Sequence, residues 1–395
     1  MRLIIRNGSV ITPIRVINRG GIIIEKGKIS GIFSGEDFFA QEKDKIIDAE
    51  GNYISPGFID IHTHGGGGYD FMDGSVEAIK KGSQAHLKYG TTSIVPTTLT
   101  GAKKELFKTL DNYRKAKEQM KNGPNLIGIH LEGPYLSMEQ RGAQDPRYIK
   151  NPEPEEYEEI LNYSDDIIRW TIAPELKGAL EMGRKLVERE ILPSIGHTNA
   201  IYEEVLKAFE SGFSHITHLY SGMSMVKRIN AYRYAGVVES AFLLDDISVE
   251  IIADGKHLPS SLLKLVYKIK GPEKICLVTD SMRAAGMPEG VYTLGSSIDG
   301  QKVIVEEGVA KLMDKSAFAG SVATANRLVK TMVTLADVPL REAVKMMTLT
   351  PAKIIKIDDR KGSLVIGKDA DIVIFDKDIN ILKVIINGEI QYEVN

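Results

Sequence analysis

Between residues 57 and 279 the chain alternates short apolar runs with amphipathic stretches, and it does so eight times. The apolar runs lie at 57–63, 91–97, 126–131, 168–173, 191–196, 214–218, 247–253 and 275–279. Stretches with helical periodicity at 75–89, 102–121, 153–163, 177–190, 201–211 and 258–269 separate most of them. Strand–helix alternation of this kind builds a parallel sheet, and eight strands are the number that closes a (β/α)8 barrel. We therefore expect an α/β fold with a TIM-type barrel. A doubly wound open sheet is the second choice. A dinucleotide site is disfavoured, because the glycine run Gly65 to Gly68 leads into Tyr69-Asp70 and no Gly-x-Gly-x-x-Gly opens a helix.

The two ends have a different texture. Short apolar runs such as Leu3-Ile4-Ile5 and Gly21-Ile22-Ile23-Ile24 are punctuated by Gly and Asn turns, and Ala370 to Phe375 and Val384 to Ile390 repeat the pattern. This is antiparallel β signal. Neither end can bury a core alone, so we expect 1–52 and 358–395 to combine as one small discontinuous β-sandwich domain beside a barrel spanning 53–357. Within the barrel, 225–240 reads as a basic, tyrosine-bearing loop and 291–315 as inserted β-hairpins. A helix pair at 322–336 and 340–356 follows. The net charge of −3 gives no footprint for nucleic acid or an anionic membrane, and no apolar run approaches the roughly 20 residues that span a bilayer. The N-terminus lacks a signal-peptide pattern. The single cysteine, Cys276, lies in the run Ile275 to Val278 and reads as a buried structural thiol. A cytoplasmic, enzyme-sized protein fits these features.

If the fold is a barrel, its chemistry should sit where strands end. The first strand ends in His62-Thr63-His64, whose imidazoles, two residues apart on a strand, face the same way. Taken alone, that pair fits two junction histidines as well as two metal ligands. The third run ends in His130-Leu131-Glu132, the fifth in His197, the sixth in His215 to His218, the seventh in Asp254 to His257 and the eighth in Asp280. Of the eight histidines only His86 lies away from a strand end, and it reads as a surface or packing residue. Scattered core histidines would not segregate so. His62, His64, Glu132, His197, His218 and Asp280 therefore read as a mixed imidazole and carboxylate cage for one or two divalent ions. His130 reads as packed in preference to a partner of Glu132.

These residues carry a resemblance. Pro56-Gly57-Phe58-Ile59-Asp60-Ile61-His62-Thr63-His64-Gly65, His130-Leu131-Glu132-Gly133-Pro134, Gly196-His197-Thr198, Thr217-His218-Leu219-Tyr220, Ala253-Asp254-Gly255-Lys256-His257, Thr279-Asp280 with Ala284-Ala285-Gly286, and Ala319-Gly320-Ser321 follow one another in family order. The chain resembles the amidohydrolase superfamily, and within it the branch that removes the N-acetyl group of amino-sugar phosphates. The resemblance implies hydrolysis of N-acetyl-D-glucosamine 6-phosphate to D-glucosamine 6-phosphate and acetate, in amino-sugar catabolism. N-acetylgalactosamine 6-phosphate, a non-phosphorylated N-acetyl hexosamine and a non-catalytic binding protein are the alternatives. It implies that Glu132, His197 and His218 hold a divalent ion, zinc or iron, and that His62 and His64 hold a second. It also implies that Asp280 moves the proton. Ala143, Gln144, Ser221, Gly222, His257 and Ala319 would line the sugar. A phosphate-binding arginine, Arg228 or Arg233 (with Lys227 beside them), would reach into the second subunit of a homodimer. Two departures from the family pattern bear on the sugar: Ser221-Gly222 replaces the usual Asn-Ala, and Gly142-Ala143-Gln144 the usual Gly-x-His.

Overall fold

The computed structural model describes residues 2–35 and 41–394. Met1, residues 36–40 and Asn395, which fall in the expected small domain, lie outside the described residues. Eight parallel strands form the barrel: Phe58–Thr63, Thr91–Thr98, Ile129–Glu132, Ile167–Ile172, Leu192–Ile195, His215–Ile216, Ser248–Ile251 and Ile275–Leu277. Adjacent strands pair from the first to the eighth, for instance Trp170 with Pro193 and Val249 with Ile275, with register shifts in the first and third pairings. The last and first strands meet through single bonds: Asp280 N–H donates to the His62 carbonyl at 2.9 Å, and the Thr279 hydroxyl donates to Asp60.

The helices cover the strands with the faces their periodicity predicts. Helix Ala179–Glu188 buries Ala179, Met182, Gly183 and Leu186, spaced three and four apart. Three expectations need correction. The run 126–131 divides into Asn125–Leu126 and Ile129–Glu132; a Cβ on Gly128 would meet Ile168 Cγ2 at 2.5 Å, so the step between the two pieces is packed against the next strand. The 225–240 loop is a hairpin, Lys227–Ile229 with Tyr232–Tyr234, followed by helix Val237–Leu243. Its apolar face, Val237, Val238 and Ala241, is too short to stand out from the basic segment before it. The helix expected at 340–356 breaks at Thr348 into Leu349–Ile354 and Leu340–Met346. Pro351 has no N–H for the carbonyl four residues back, and the break leaves it in a first turn, where none is needed.

The chain ends share one eight-stranded sheet, ordered Glu389–Glu393, Ile381–Ile386, Ile372–Phe375, Tyr53–Pro56, Arg2–Ile11, Val16–Glu25 and Lys28–Ser34, with Lys45–Asp48 alongside Arg2–Ile11. Arg2–Ile11 is bulged between Ile5 and Val10, and this lets it pair with Lys45–Asp48 by one half and Tyr53–Pro56 by the other. The sheet closes as a small β-sandwich around Ile5, Val10, Ile22, Ile54, Ile372 and Ile385. It touches the barrel through Phe375, whose ring lies 6.3 Å from that of Phe58 at the base of the first barrel strand.

Candidate metal centre

At the C-terminal mouth of the barrel six side chains from five strand ends converge. His62 and His64 close the first strand and Glu132 the third; His197, His218 and Asp280 follow the fifth, sixth and eighth. The last three adopt positive φ (47°, 27° and 46°), a region L-residues rarely occupy. The chain leaves β geometry at those three residues and turns each side chain toward the barrel axis. Backbone strain of this sort persists only where the surroundings enforce it, and it clusters at functional sites.

Each imidazole is held from behind. His64 Nδ1 lies 3.2 Å from the Thr97 carbonyl, His197 Nδ1 2.9 Å from that of Gln140 and His218 Nδ1 3.1 Å from that of Ser221. A carbonyl only accepts, so these Nδ1 atoms carry a proton, and in the neutral ring each Nε2 presents its lone pair to the cage. His62 Nδ1 faces the Glu250 carboxylate at 3.1 Å. Its Nε2 is fully buried with no hydrogen-bond partner. Around Glu132 Oε1 stand His218 Nε2 at 3.0 Å, His197 Nε2 at 3.2 Å and His62 Nε2 at 3.5 Å, while His197 and His218 Nε2 are 3.2 Å apart. Ligand atoms bound tetrahedrally at 2.0–2.1 Å would lie roughly 3.3 Å apart. Glu132 Oε2 and Asp280 Oδ1 flank His64 Nε2 at 3.4 and 3.1 Å. Two groups thus fit a divalent ion: Glu132 with His197 and His218, and Glu132 with His62 and His64.

The electrostatics agree. Burial pulls His64 down, but hydrogen bonds to Asp280 and Glu132 hold it at about 9. His62 and His197 are likewise raised against burial, by Asp280 and Glu132 for His62 and by Glu132 for His197. Burial opposes ionisation of Glu132 and Asp280, yet the surrounding imidazoles, His62 foremost, keep both carboxyls below their usual range. The cage therefore favours positive charge at its centre, from protons or from a cation. Imidazole and carboxylate donors suit zinc, iron, manganese or cobalt alike.

A cavity of about 250 Å³ opens above the cage. Ala143, Gln144, Ser221, Gly222 and His257 line it; Ala319 is buried beside it, and Gly320 takes its place in the wall. Gln144 has a second attachment: its Nε2 donates to Glu132 Oε2 at 2.7 Å and its Oε1 accepts from Thr100 N–H at 2.8 Å. His257 is fixed by Asp254 at 2.9 Å, and its ring lies 4.5 Å from that of Phe318, tilted by 44°. Arg228 and Arg233 point to solvent on their hairpin and do not line the cavity. Of the remaining histidines, His130 lies one layer below the cage between the Thr97 and Thr171 hydroxyls, its ring 4.7 Å from His62; burial and Arg169 keep it neutral. His86 is not at the surface: it is buried, and its Nε2–H donates to the Gly65 carbonyl at 2.9 Å. Glu250 and Arg169, an ion pair buried beneath His62, went unforeseen.

Fold and cage together define a barrel protein with two groups of buried His and Glu side chains at the C-terminal mouth of its strands that could hold a divalent ion. The chain belongs to the amidohydrolase family, whose sequence pattern matches residues 53–391. It is 35% identical over 394 residues to the N-acetylglucosamine-6-phosphate deacetylase of Bacillus subtilis (strain 168), a match covering 99% of this chain and 97% of that protein. The crystal structure of N-acetylglucosamine-6-phosphate deacetylase from Pasteurella multocida superposes with a TM-score of 0.91 at 32% identity over 100% of both chains. A mutant of the Mycobacterium smegmatis deacetylase in complex with N-acetyl-D-glucosamine 6-phosphate superposes with a TM-score of 0.89 at 28% identity over 99% of each chain.

Proposed function

We propose that this chain hydrolyses the N-acetyl group of an amino-sugar phosphate, with N-acetyl-D-glucosamine 6-phosphate as substrate and D-glucosamine 6-phosphate and acetate as products. The observation that carries the reading is the Asp280 carboxylate at the rim of a two-part ligand cage, 3.1 Å from His64 Nε2 and facing a cavity of about 250 Å³. Glu132, His197 and His218 would hold a divalent ion, which when bound would supply Lewis acidity and lower the pKa of water toward 7. Asp280, kept ionised by His62 and His64, takes a proton from the attacking water. It then returns that proton to the C2 nitrogen as the C–N bond breaks. His257, locked by Asp254, orients the sugar, and Ala143, Ser221 and Gly222 form the wall against it.

Among the described residues that line the cavity there is no lysine or arginine to meet a phosphate. The exposed hairpin Lys227–Tyr234 carries Arg228 and Arg233, together with the exposed apolar side chains of Ile229 and Tyr232. We read it as the arm that one subunit of a homodimer extends to the cavity of the other. Arginine suits bidentate phosphate contacts.

Acetate release by the purified, zinc- or iron-loaded protein decides the matter. We expect turnover of N-acetylglucosamine 6-phosphate well above that of N-acetylgalactosamine 6-phosphate and of both sugars without phosphate. Release from none of the four would sink the deacetylase reading. A clear preference for the galacto-configured sugar would move the substrate assignment to it.

A further inference from the structure

Beneath the cage lies an ion pair with no part in the reaction above. Glu250, midway along Ser248–Ile251, and Arg169, midway along Ile167–Ile172, are each 0% exposed and bonded to one another. Arg169 also donates to the Ile61 carbonyl at 3.2 Å, Ser194 Oγ at 3.0 Å and Thr217 Oγ1 at 2.9 Å. Taking two charges out of water costs several kcal/mol per ion, and well-packed apolar residues often replace such pairs at no loss of stability. Stability alone is therefore a poor reason for charge inside this barrel.

The use of Glu250 lies in its second oxygen. Glu250 Oε2 faces His62 Nδ1 at 3.1 Å and accepts from the His218 N–H at 3.1 Å, while Oε1 lies 3.4 Å from His215 Nε2. His64, His197 and His218 have neutral backbone carbonyls behind them. His62 alone among the four cage imidazoles is backed by an ionised carboxylate. Such a partner fixes the proton on Nδ1, aims the Nε2 lone pair and makes the ring a stronger donor. His62 Nε2, which lacks a hydrogen bond and lies 3.5 Å from Glu132 Oε1 and from Asp280 Oδ1, is the atom so aimed.

We propose that Glu250, held in place by Arg169, is the positioning residue that makes His62 a metal ligand. It thereby governs the affinity of a second ion at His62, His64 and Glu132, separately from the ion at Glu132, His197 and His218. The inference rests on the metal reading above, and its test does not use activity. Zinc bound per chain is counted by elemental analysis, and its affinity is measured by competition with a chromophoric chelator, for wild type, Glu250→Gln, His62→Ala and the double variant. The wild type takes two ions. Glu250→Gln weakens the second by about 10–100-fold and leaves the first unchanged. His62→Ala removes the second ion, and adding Glu250→Gln to it changes nothing further. Where Glu250→Gln does not fold because Arg169 is left unpaired, Glu250→Gln with Arg169→Gln removes the orphaned charge and shows the same weakening. A second ion held with wild-type affinity, both ions weakened alike, a wild type that stops at one ion, or failure of both Glu250 variants to fold overturns the proposal. A wild type that binds no zinc at all would instead overturn the metal reading itself.

Discussion

At the scale of single residues, Asp280 has a backbone that makes its role testable without disturbing its position. Its φ of 46° lies where asparagine is among the most tolerated side chains. Asp280→Asn should therefore keep the fold while losing the proton acceptor, and kcat should fall by about 10²–10⁴-fold, the usual worth of general acid–base catalysis. Near-normal steady-state turnover would remove Asp280 from the mechanism. His86 offers a test of stability instead. Burial lowers its pKa to about 4, against about 6.5 in an unfolded chain. Between those values the unfolded state binds more protons, so the contribution is fully present above pH 6.5 and is lost as pH falls toward 4. Its full size is about 3 kcal/mol. Urea unfolding of wild type and His86→Asn across pH 4–7 should show a shallower acid loss in the variant; parallel curves would mean that His86 protonates freely in the folded protein. The sequence announced His62, Glu132, His197, His218 and Asp280 because each ends an apolar run. It did not announce Glu250, which interrupts an apolar run at Val249-Glu250-Ile251 instead of ending one. A signal was available: strands of a parallel barrel are buried on both faces, so a lone Glu and a lone Arg in two such strands have little choice but to pair.

At the scale of elements, periodicity located nearly every helix and strand, and the failures have local causes. A two-residue step at 127–128, a proline at 351 and a seven-residue helix behind a basic hairpin all fall below what an 11-residue window detects. What periodicity cannot show is how closely neighbouring elements approach. Helix Ala179–Glu188 carries Gly183 on its buried face, and a Cβ there would stand 2.1 Å from Phe213 Cε2. Glycine to alanine inside a helix ordinarily gains about 1 kcal/mol. Here the clash, worth about 1–3 kcal/mol as overpacking, reverses the sign. Gly183→Ala should lower stability by up to about 2 kcal/mol in chemical denaturation, and a stabilised variant would show that Phe213 can move aside at no cost.

At the scale of the molecule, the terminal sheet and the barrel share buried residues: Phe375, Ile381, Val384 and Ile386 from the sheet belong to the same apolar cluster as Phe58, Ile94 and Leu110. That sharing could be anticipated only as far as the matching texture of the two ends, since register across 300 residues leaves no local trace. At the opposite end the barrel is open, and five strand ends bring buried carboxylates and imidazoles together. Without a cation, repulsion between Glu132 and Asp280 is relieved only by protonated histidines, which burial itself disfavours. An ion that binds this arrangement and not the unfolded chain must stabilise the whole barrel. Its contribution grows by about 1.4 kcal/mol for each tenfold rise in free ion above Kd, reaching about 2.7 kcal/mol at a hundredfold. Thermal unfolding followed with zinc buffered at a series of free concentrations should show a midpoint that climbs with the logarithm of zinc, and chelation should return it to a fixed lower value. In Glu132→Gln, where both ligand groups lose their shared carboxylate charge, that climb should largely vanish. A midpoint indifferent to zinc in the wild type would show that the cage is stabilised by protons alone.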